Sequence, residues 1–188
     1  MRCFTAIELE PAVRAPLAKL VREKLPRNRD VRWCTEGQLH VTLKFLGEAP
    51  DRQIQAACAA LEAASKGIAP FEIHIGNLGV FPAPHSPRVL WAGVDDPQRG
   101  CERWMAQAEP LFEELGIPRE QRAFHPHLTL GRSKGAGGGR LMRQLLNDLQ
   151  MPSVPTMIVR EVVLFESCLA PTGAVYKAHH RAALATDA

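Results

Sequence analysis

The sequence has no two cysteines placed to act together. Its five (Cys3, Cys34, Cys58, Cys101 and Cys168) are scattered, odd in number and without a C-x-x-C pair. That argues against a disulfide framework and a zinc ribbon, and suits a reducing compartment. No apolar run is long enough to cross a bilayer, and Glu8 and Glu10 interrupt the stretch a secretory leader would occupy. The expectation is a soluble, cytoplasmic protein. Charge of one sign is also missing: 23 Lys+Arg against 20 Asp+Glu gives a net +3. That is too little to establish nucleic-acid binding, although it does not oppose a polyanionic substrate. There is no G-x-x-x-x-G-K-[ST] loop and no lysine nucleophile motif, so no means of activating a nucleotide is visible. What remains is 188 residues with 46% hydrophobic content, enough for one compact domain or two fused lobes with a real core.

Two stretches stand out, His40-Val-Thr-Leu-Lys-Phe45 and His127-Leu-Thr-Leu-Gly-Arg132. Each interleaves a His and a Thr with apolar residues at the period of a β-strand. The imidazole and hydroxyl therefore share one face, while Val41, Leu43, Leu128 and Leu130 share the other. One such strand reads most simply as structural. Two in matching frames suggest a site made of paired halves.

The rest of the chain repeats around them. Cys3 to Leu9 alternates as a strand, and Pro11 opens a helix with Val13, Leu17, Leu20, Val21 and Leu25 on one stripe, ended by Pro26. Val31–Trp33 and Leu39–Leu46 are extended, and a helix follows Pro50-Asp51. Phe71–Ile75 is a strand leading through Gly76 and Gly79 into the proline-rich loop Phe81–Pro87. In the second half, Val89–Val94 is a strand and Asp96-Pro97 opens a helix with Cys101, Trp104, Ala108, Leu111, Phe112 and Leu115. A Gly135–Gly139 loop is expected before a helix carrying Leu141, Leu145, Leu146 and Leu149, and the strands Met157–Phe165 and Ala174–His179 follow. Each half thus holds strands, two helices and one His-x-Thr, a rough internal duplication. The lobes by sequence order are 1–85 and 86–188, within one unit spanning 1–188.

Two imidazoles with two hydroxyls suit phosphodiester chemistry. Histidine titrates near neutrality and can take a proton from water or give one to a leaving oxygen, while hydroxyls hold non-bridging phosphate oxygens. Facing strands would set His40 and His127 on opposite sides of one phosphorus.

With these motifs the chain resembles the two-histidine phosphoesterases, and within them the RNA 2',3'-cyclic phosphodiesterases once named 2'-5' RNA ligases. The likeness runs nearly end to end, through Arg2-Cys-Phe-Thr-Ala-Ile7, Leu39–Glu48, Phe124–Arg132 and Leu164–Leu169, with Gly173 and Tyr176. It implies a bilobal α/β (α+β) fold, two pseudo-symmetric lobes of antiparallel sheet with outer helices and a central groove. It also implies hydrolysis of a terminal 2',3'-cyclic phosphate to a 2'-phosphate without metal or other cofactor. His40 would be the proton donor, His127 the proton acceptor, and Thr42, Thr129 and Arg132 the phosphate ligands. Phe4 and Phe45 match positions near the family's groove and would stack on a base, though strand aromatics more often belong to a core. Lys44 and Arg2 would steer RNA or simply be solvated. The partners expected are RNA ends or nucleotides bearing the cyclic phosphate, with no membrane, no obligate protein partner and a monomer as the default.

Three rival readings remain open. The same centre run backwards is an ATP-independent 2'-5' RNA ligase. A fold that has lost its chemistry is a nucleotide-binding module. A third reading uses His125, His127 and His40 as metal ligands, but no carboxylate or cysteine joins them at a recognisable spacing.

Overall fold

In the computed structural model, residues 1–170 and 173–185 are described. Two chain segments of the same grammar account for most of it. The first runs β1 (Arg2–Glu8), α1 (Pro11–Lys24), the short β2 (Val31–Trp33), β3 (His40–Glu48), α2 (Asp51–Ser65) and β4 (Phe71–Phe81). The second runs β5 (Val89–Asp95), α3 (Gly100–Glu114), β6 (His127–Ser133), α4 (Ala136–Asp148), β7 (Met157–Val159) and β8 (Glu161–Ala170), and β9 (Gly173–Ala183) closes the fold. All form one antiparallel sheet in the order β7-β4-β5-β6-β3-β1-β8-β9, with β2 on β6. That order is palindromic about the β6–β3 contact, and the last long strand of each segment crosses to the other's first strand: β4 pairs with β5, and β8 with β1. Only Arg160 separates β7 from β8, so the two ends of the order are drawn together and the sheet curls.

The helices follow their apolar stripes. Val13, Leu17, Leu20 and Val21 of α1 are buried, and the helix stops before Pro26. On α3, Trp104, Ala108 and Phe112 are fully buried, and the Trp104 Nε1–H donates to Ser65 Oγ at 3.1 Å, tying α3 to α2. The Asp96 carboxylate accepts from the backbone N–H groups of Gly100 and Cys101 at 2.9 and 2.7 Å, satisfying donors that a helix start leaves free.

Four expectations change. The Gly135–Gly139 stretch is no loop: Gly135 is the cap and the following glycines are the first turn of α4. They are glycines because the turn is pressed onto the sheet. A Cβ on Gly138 would lie 2.5 Å from the Asp30 carbonyl oxygen, and one on Gly139 2.9 Å from that of Pro87. Strand β4 does not end at Ile75 but runs through Gly76 and Gly79 to Phe81, with a bulge at Asn77 in positive φ. Gly79 is bare because Trp91 lies across it, with ring atoms 2.1 Å from where a Cβ would sit. The strand expected over Met157–Phe165 is broken at Arg160, which lets β7 pair with β4 while β8 pairs with β1.

Lys44 is the fourth. It neither steers RNA nor is solvated, since a bulge at Leu43 turns it into the core. Its Nζ donates to both oxygens of Glu109, at 2.9 and 2.8 Å, and to the Pro118 carbonyl at 2.9 Å. The Thr5 hydroxyl accepts from the Lys44 N–H at 3.1 Å, occupying a donor that the bulge takes out of the ladder. Removing one member of a buried ion pair strands the other. Lys44→Ala is therefore expected to lower the unfolding free energy by about 3 kcal/mol, and Lys44→Ala/Glu109→Ala to cost less than the sum of the single changes. Urea titration of the three variants measures both; strict additivity would remove the pair from the account.

Candidate active site

The site is set by one contact. Strands β3 and β6 are antiparallel, with Val41 opposite Leu128 and both fully buried. Continuing that register one residue either way puts His40 opposite Thr129 and Thr42 opposite His127. Directly opposed side chains stand about 5 Å apart, so the four groups form a square on one face of the sheet. Burial alternates identically along the two motifs: His and Thr half-buried, Val41 and Leu43 or Leu128 and Leu130 buried.

Both strands then break the alternation at the same place. Against β1, Thr42 faces Ala6 and Lys44 faces Thr5, leaving Leu43 extra; against β5, Thr129 faces Trp91 and Gly131 faces Leu90, leaving Leu130 extra. A bulge one residue after each Thr sends the next side chain inward and returns the fifth residue from each His to the histidine face. In β3 that residue is Phe45, 64% exposed. In β6 it is Arg132, also exposed. The two walls therefore differ, one apolar and one cationic. Arg32 of β2 lies directly opposite Arg132, a like-charge pair that is unfavourable unless something anionic lies near it.

Aromatic rings wall each imidazole. Phe4 lies 4.8 Å from His40 between ring centroids and Tyr176 meets its edge at 5.1 Å, with Phe165 behind at 6.3 Å. Phe4 is 3% exposed and belongs to a small cluster with Ala6, Val163 and Phe165, so it packs on the histidine and offers little free face. Around His127 stand Phe81 at 5.0 Å and Trp91 at 6.1 Å. Trp91 and the exposed His125 meet at 5.0 Å. Phe81, Trp91 and Phe165 were not among the residues singled out from the sequence. Trp91 and Phe165 sit in strands where an aromatic reads as core, and Phe81 reads as the start of the proline-rich loop; only the pairing of their strands with a motif strand or its neighbour reveals them.

The ring nitrogens are held. His127 Nδ1 lies 2.7 Å from the His125 carbonyl oxygen, which can only accept, so Nδ1 carries the proton and Nε2 is left as the free basic nitrogen. His40 Nε2 lies 3.0 Å from Thr42 Oγ1. Burial drives the His40 pKa down from 6.5 to about 4, opposed by the backbone of Gln38 and assisted by the charges of Arg132 and His127. Burial also lowers His127, with the His125 backbone opposing and His125 and Arg132 assisting. Burial pushes the Cys34 thiol up to about 11, against the pull of Arg132, and raises the Tyr176 phenol. Arg132 thus acts electrostatically on every one of these groups. Among the described residues, no three His, Cys, Asp or Glu side chains are grouped to hold a metal ion.

A family model described as LigT like Phosphoesterase matches the chain twice, over residues 7–91 and again over 93–176. The chain belongs to this family. The double match falls on the two segments that the strand order makes equivalent. The family is shared with an RNA 2',3'-cyclic phosphodiesterase of Methanothermobacter thermautotrophicus, 32% identical over 94% of this chain and 95% of that protein. A protein of the same name from Thermotoga maritima is 31% identical over 94% and 92%. Among solved structures, Escherichia coli LigT complexed with 3'-AMP superposes with a TM-score of 0.76 at 25% identity, over 97% of each chain. The Thermus thermophilus protein TT0787 gives 0.74 at 30%, over 98% of each. As a LigT-like phosphoesterase the chain has the expected α+β fold built on antiparallel sheet. Among the described residues no helix is long and apolar enough to cross a membrane.

The lowered histidine pKa values have a consequence for stability. A histidine that binds its proton less readily when folded leaves the folded state with fewer protons than the unfolded state between about pH 4 and pH 6.5. Stability is then complete above 6.5 and declines as pH falls through that window. Wild type is expected to lose more stability than His40→Gln between pH 7.5 and pH 4.5, read as urea midpoints of the two proteins. A parallel decline would mean that His40 is not held neutral.

Proposed function

We propose that this LigT-like phosphoesterase is an RNA 2',3'-cyclic 3'-phosphodiesterase, which opens a terminal 2',3'-cyclic phosphate to a 2'-phosphate. The observation that carries the reading is the square of His40, Thr42, His127 and Thr129 on one sheet face, beside Arg132. In the reaction a water oxygen attacks phosphorus and the bond to O3' breaks. One imidazole takes the water proton and the other protonates O3'. His127 suits the acceptor role because its Nδ1–H is committed to the His125 carbonyl, which leaves Nε2 free. His40 is then the donor, as the likeness to the family suggests. Thr42 and Thr129 hold the non-bridging oxygens, and Arg132 balances the charge that grows on them.

The depressed histidine pKa values fit an anionic substrate. Before binding, two imidazoles and Arg132 crowd one poorly hydrated face and favour neutral rings. A phosphodiester brings the negative charge that lets His40 take up the proton it must deliver. Exposed Phe45 opposite the cationic wall is placed to stack on the terminal base, and Phe4 contributes through its packing on His40. That Escherichia coli LigT has been solved with phosphate and with 3'-AMP supports a nucleotide phosphate in this groove. We take residues 1–188 as one bilobal catalytic unit, acting as a cytoplasmic monomer on RNA ends.

The test is product analysis on an oligoribonucleotide ending in a 2',3'-cyclic phosphate, with chelator present. Wild type is expected to give the 2'-phosphate, and His40→Ala and His127→Ala each to lose about 10²–10⁴-fold in rate while keeping the fold. Near-wild-type turnover by either variant would end the two-histidine mechanism. Arg132→Ala is expected to raise KM about tenfold, the loss of one charge-assisted hydrogen bond; an unchanged KM would take Arg132 out of substrate binding.

A further inference from the structure

Beyond the arginine wall the chain builds a second basic feature. A cavity of about 590 Å³ opens where β5 begins, β6 ends and α4 starts. Arg88, Lys134, Arg140 and Arg143 line it, and among the described residues no carboxylate does. Arg143 is structural: its Nε and Nη2 donate to the carbonyls of Pro84 and His85 at 3.0 and 2.9 Å, clamping the 82–88 loop onto α4. The close approach of Gly139 to the Pro87 carbonyl closes the same joint. The cavity is therefore held in shape before anything enters it.

The other three cations have no internal task. Among the described residues, the side chains of Arg88, Lys134 and Arg140 take part in no ion pair and no hydrogen bond, and all three are exposed. The nearby acid, Asp30, is turned to the glycines of α4, its Oδ2 2.3 Å from where a Cβ on Gly137 would sit. It lies outside the cavity lining.

Position makes this more than a basic patch. Ser133 and Lys134 immediately follow Arg132, the Ser133 N–H donates to the Arg88 carbonyl at 2.8 Å, and Arg132 pairs in register with Val89. Along β6 the cavity begins four residues past Thr129, or about 13 Å at the usual strand rise of about 3.3 Å per residue. Arg32 and Arg132 lie between. Basic residues thus extend from the motif strand to the cavity, with Asp30 beside them turned to the glycines of α4.

We propose that this cavity binds backbone phosphates of the RNA strand upstream of the reacting end, so that the enzyme acts on polynucleotide ends in preference to free cyclic mononucleotides. The inference rests on the function proposed above. Exposed, unpaired Arg and Lys are the groups that position a phosphate backbone without reading its sequence. A volume well beyond one phosphate admits a stretch of strand.

The experiment compares two substrates, a 2',3'-cyclic mononucleotide and a six-nucleotide oligoribonucleotide with the same 3' end, using wild type and Arg88→Ala/Arg140→Ala. The double variant is expected to lose about tenfold in kcat/KM on the oligonucleotide and to be unchanged on the mononucleotide. Its dependence of log kcat/KM on log salt should flatten by about 0.7 for each lost phosphate contact. Equal loss on both substrates, or none on the oligonucleotide, would overturn the proposal while leaving the proposed function standing. If wild type cleaves neither substrate, the proposed function fails instead. Fluorescence anisotropy with a labelled hexaribonucleotide ending in a 3'-hydroxyl then decides the cavity alone: weaker binding by the variant supports it, and equal binding overturns it.

Discussion

The pairing of β3 with β6 is the contact on which the rest depends. Its paired residues are Val41 and Leu128, each one residue after a motif histidine and each without exposed surface. Side chains alternate strictly along a strand, so slipping either strand by one residue would send its His and Thr into the core and bring Val41 or Leu128 to the groove. Burial of those two residues therefore fixes the register, and the register brings the histidines together. The hydrophobic core positions the polar site.

Symmetry about this contact explains both the likeness of the halves and where it stops. Each motif strand carries its bulge at the same residue, and each bulge returns the fifth residue to the groove face. The preceding, inward residue shows how differently the halves fill their cores. It is Lys44 in one, reaching Glu109 on α3, and Gly131 in the other, where a Cβ would strike Trp33 at 2.2 Å. Phe45 and Arg132 then differentiate the walls. Equal frames hold two histidines alike, and unequal side chains give the groove an apolar and a cationic side.

The aromatic rings have two effects. They fix the orientation of the imidazoles, and by excluding water they disfavour the charged form of both. An anion beside such rings would favour their charged form, so proton uptake and anion binding would support each other. The same exclusion of water makes hydrogen bonds from Thr42 and Thr129 count for more than they would in solvent.

By itself the sequence determined most of the helices and strands, though not all of their limits, and the four side chains at the β3–β6 contact. The alternation of His40-Val-Thr-Leu and His127-Leu-Thr-Leu fixed which groups share a face, and Pro11, Pro26 and Asp96 marked helix ends, because these are local matters of backbone geometry and side-chain period. Only the tertiary structure decided what depends on neighbours distant in the chain. The bulges that bury Lys44 and expose Phe45 arise from pairing with β1. The glycines of α4 read as a flexible loop because nothing local shows the Asp30 carbonyl and the 87 loop pressing on them. Trp91 and Phe165 look like core residues, and Phe81 like the start of a loop, until β4, β5 and β8 are placed in the sheet around the motif strands. Arg88, Lys134 and Arg140 lie far apart or unremarked in the sequence, and become one cavity only where β5, β6 and α4 meet. Local periodicity sets which face a residue takes, and long-range pairing sets what that face meets.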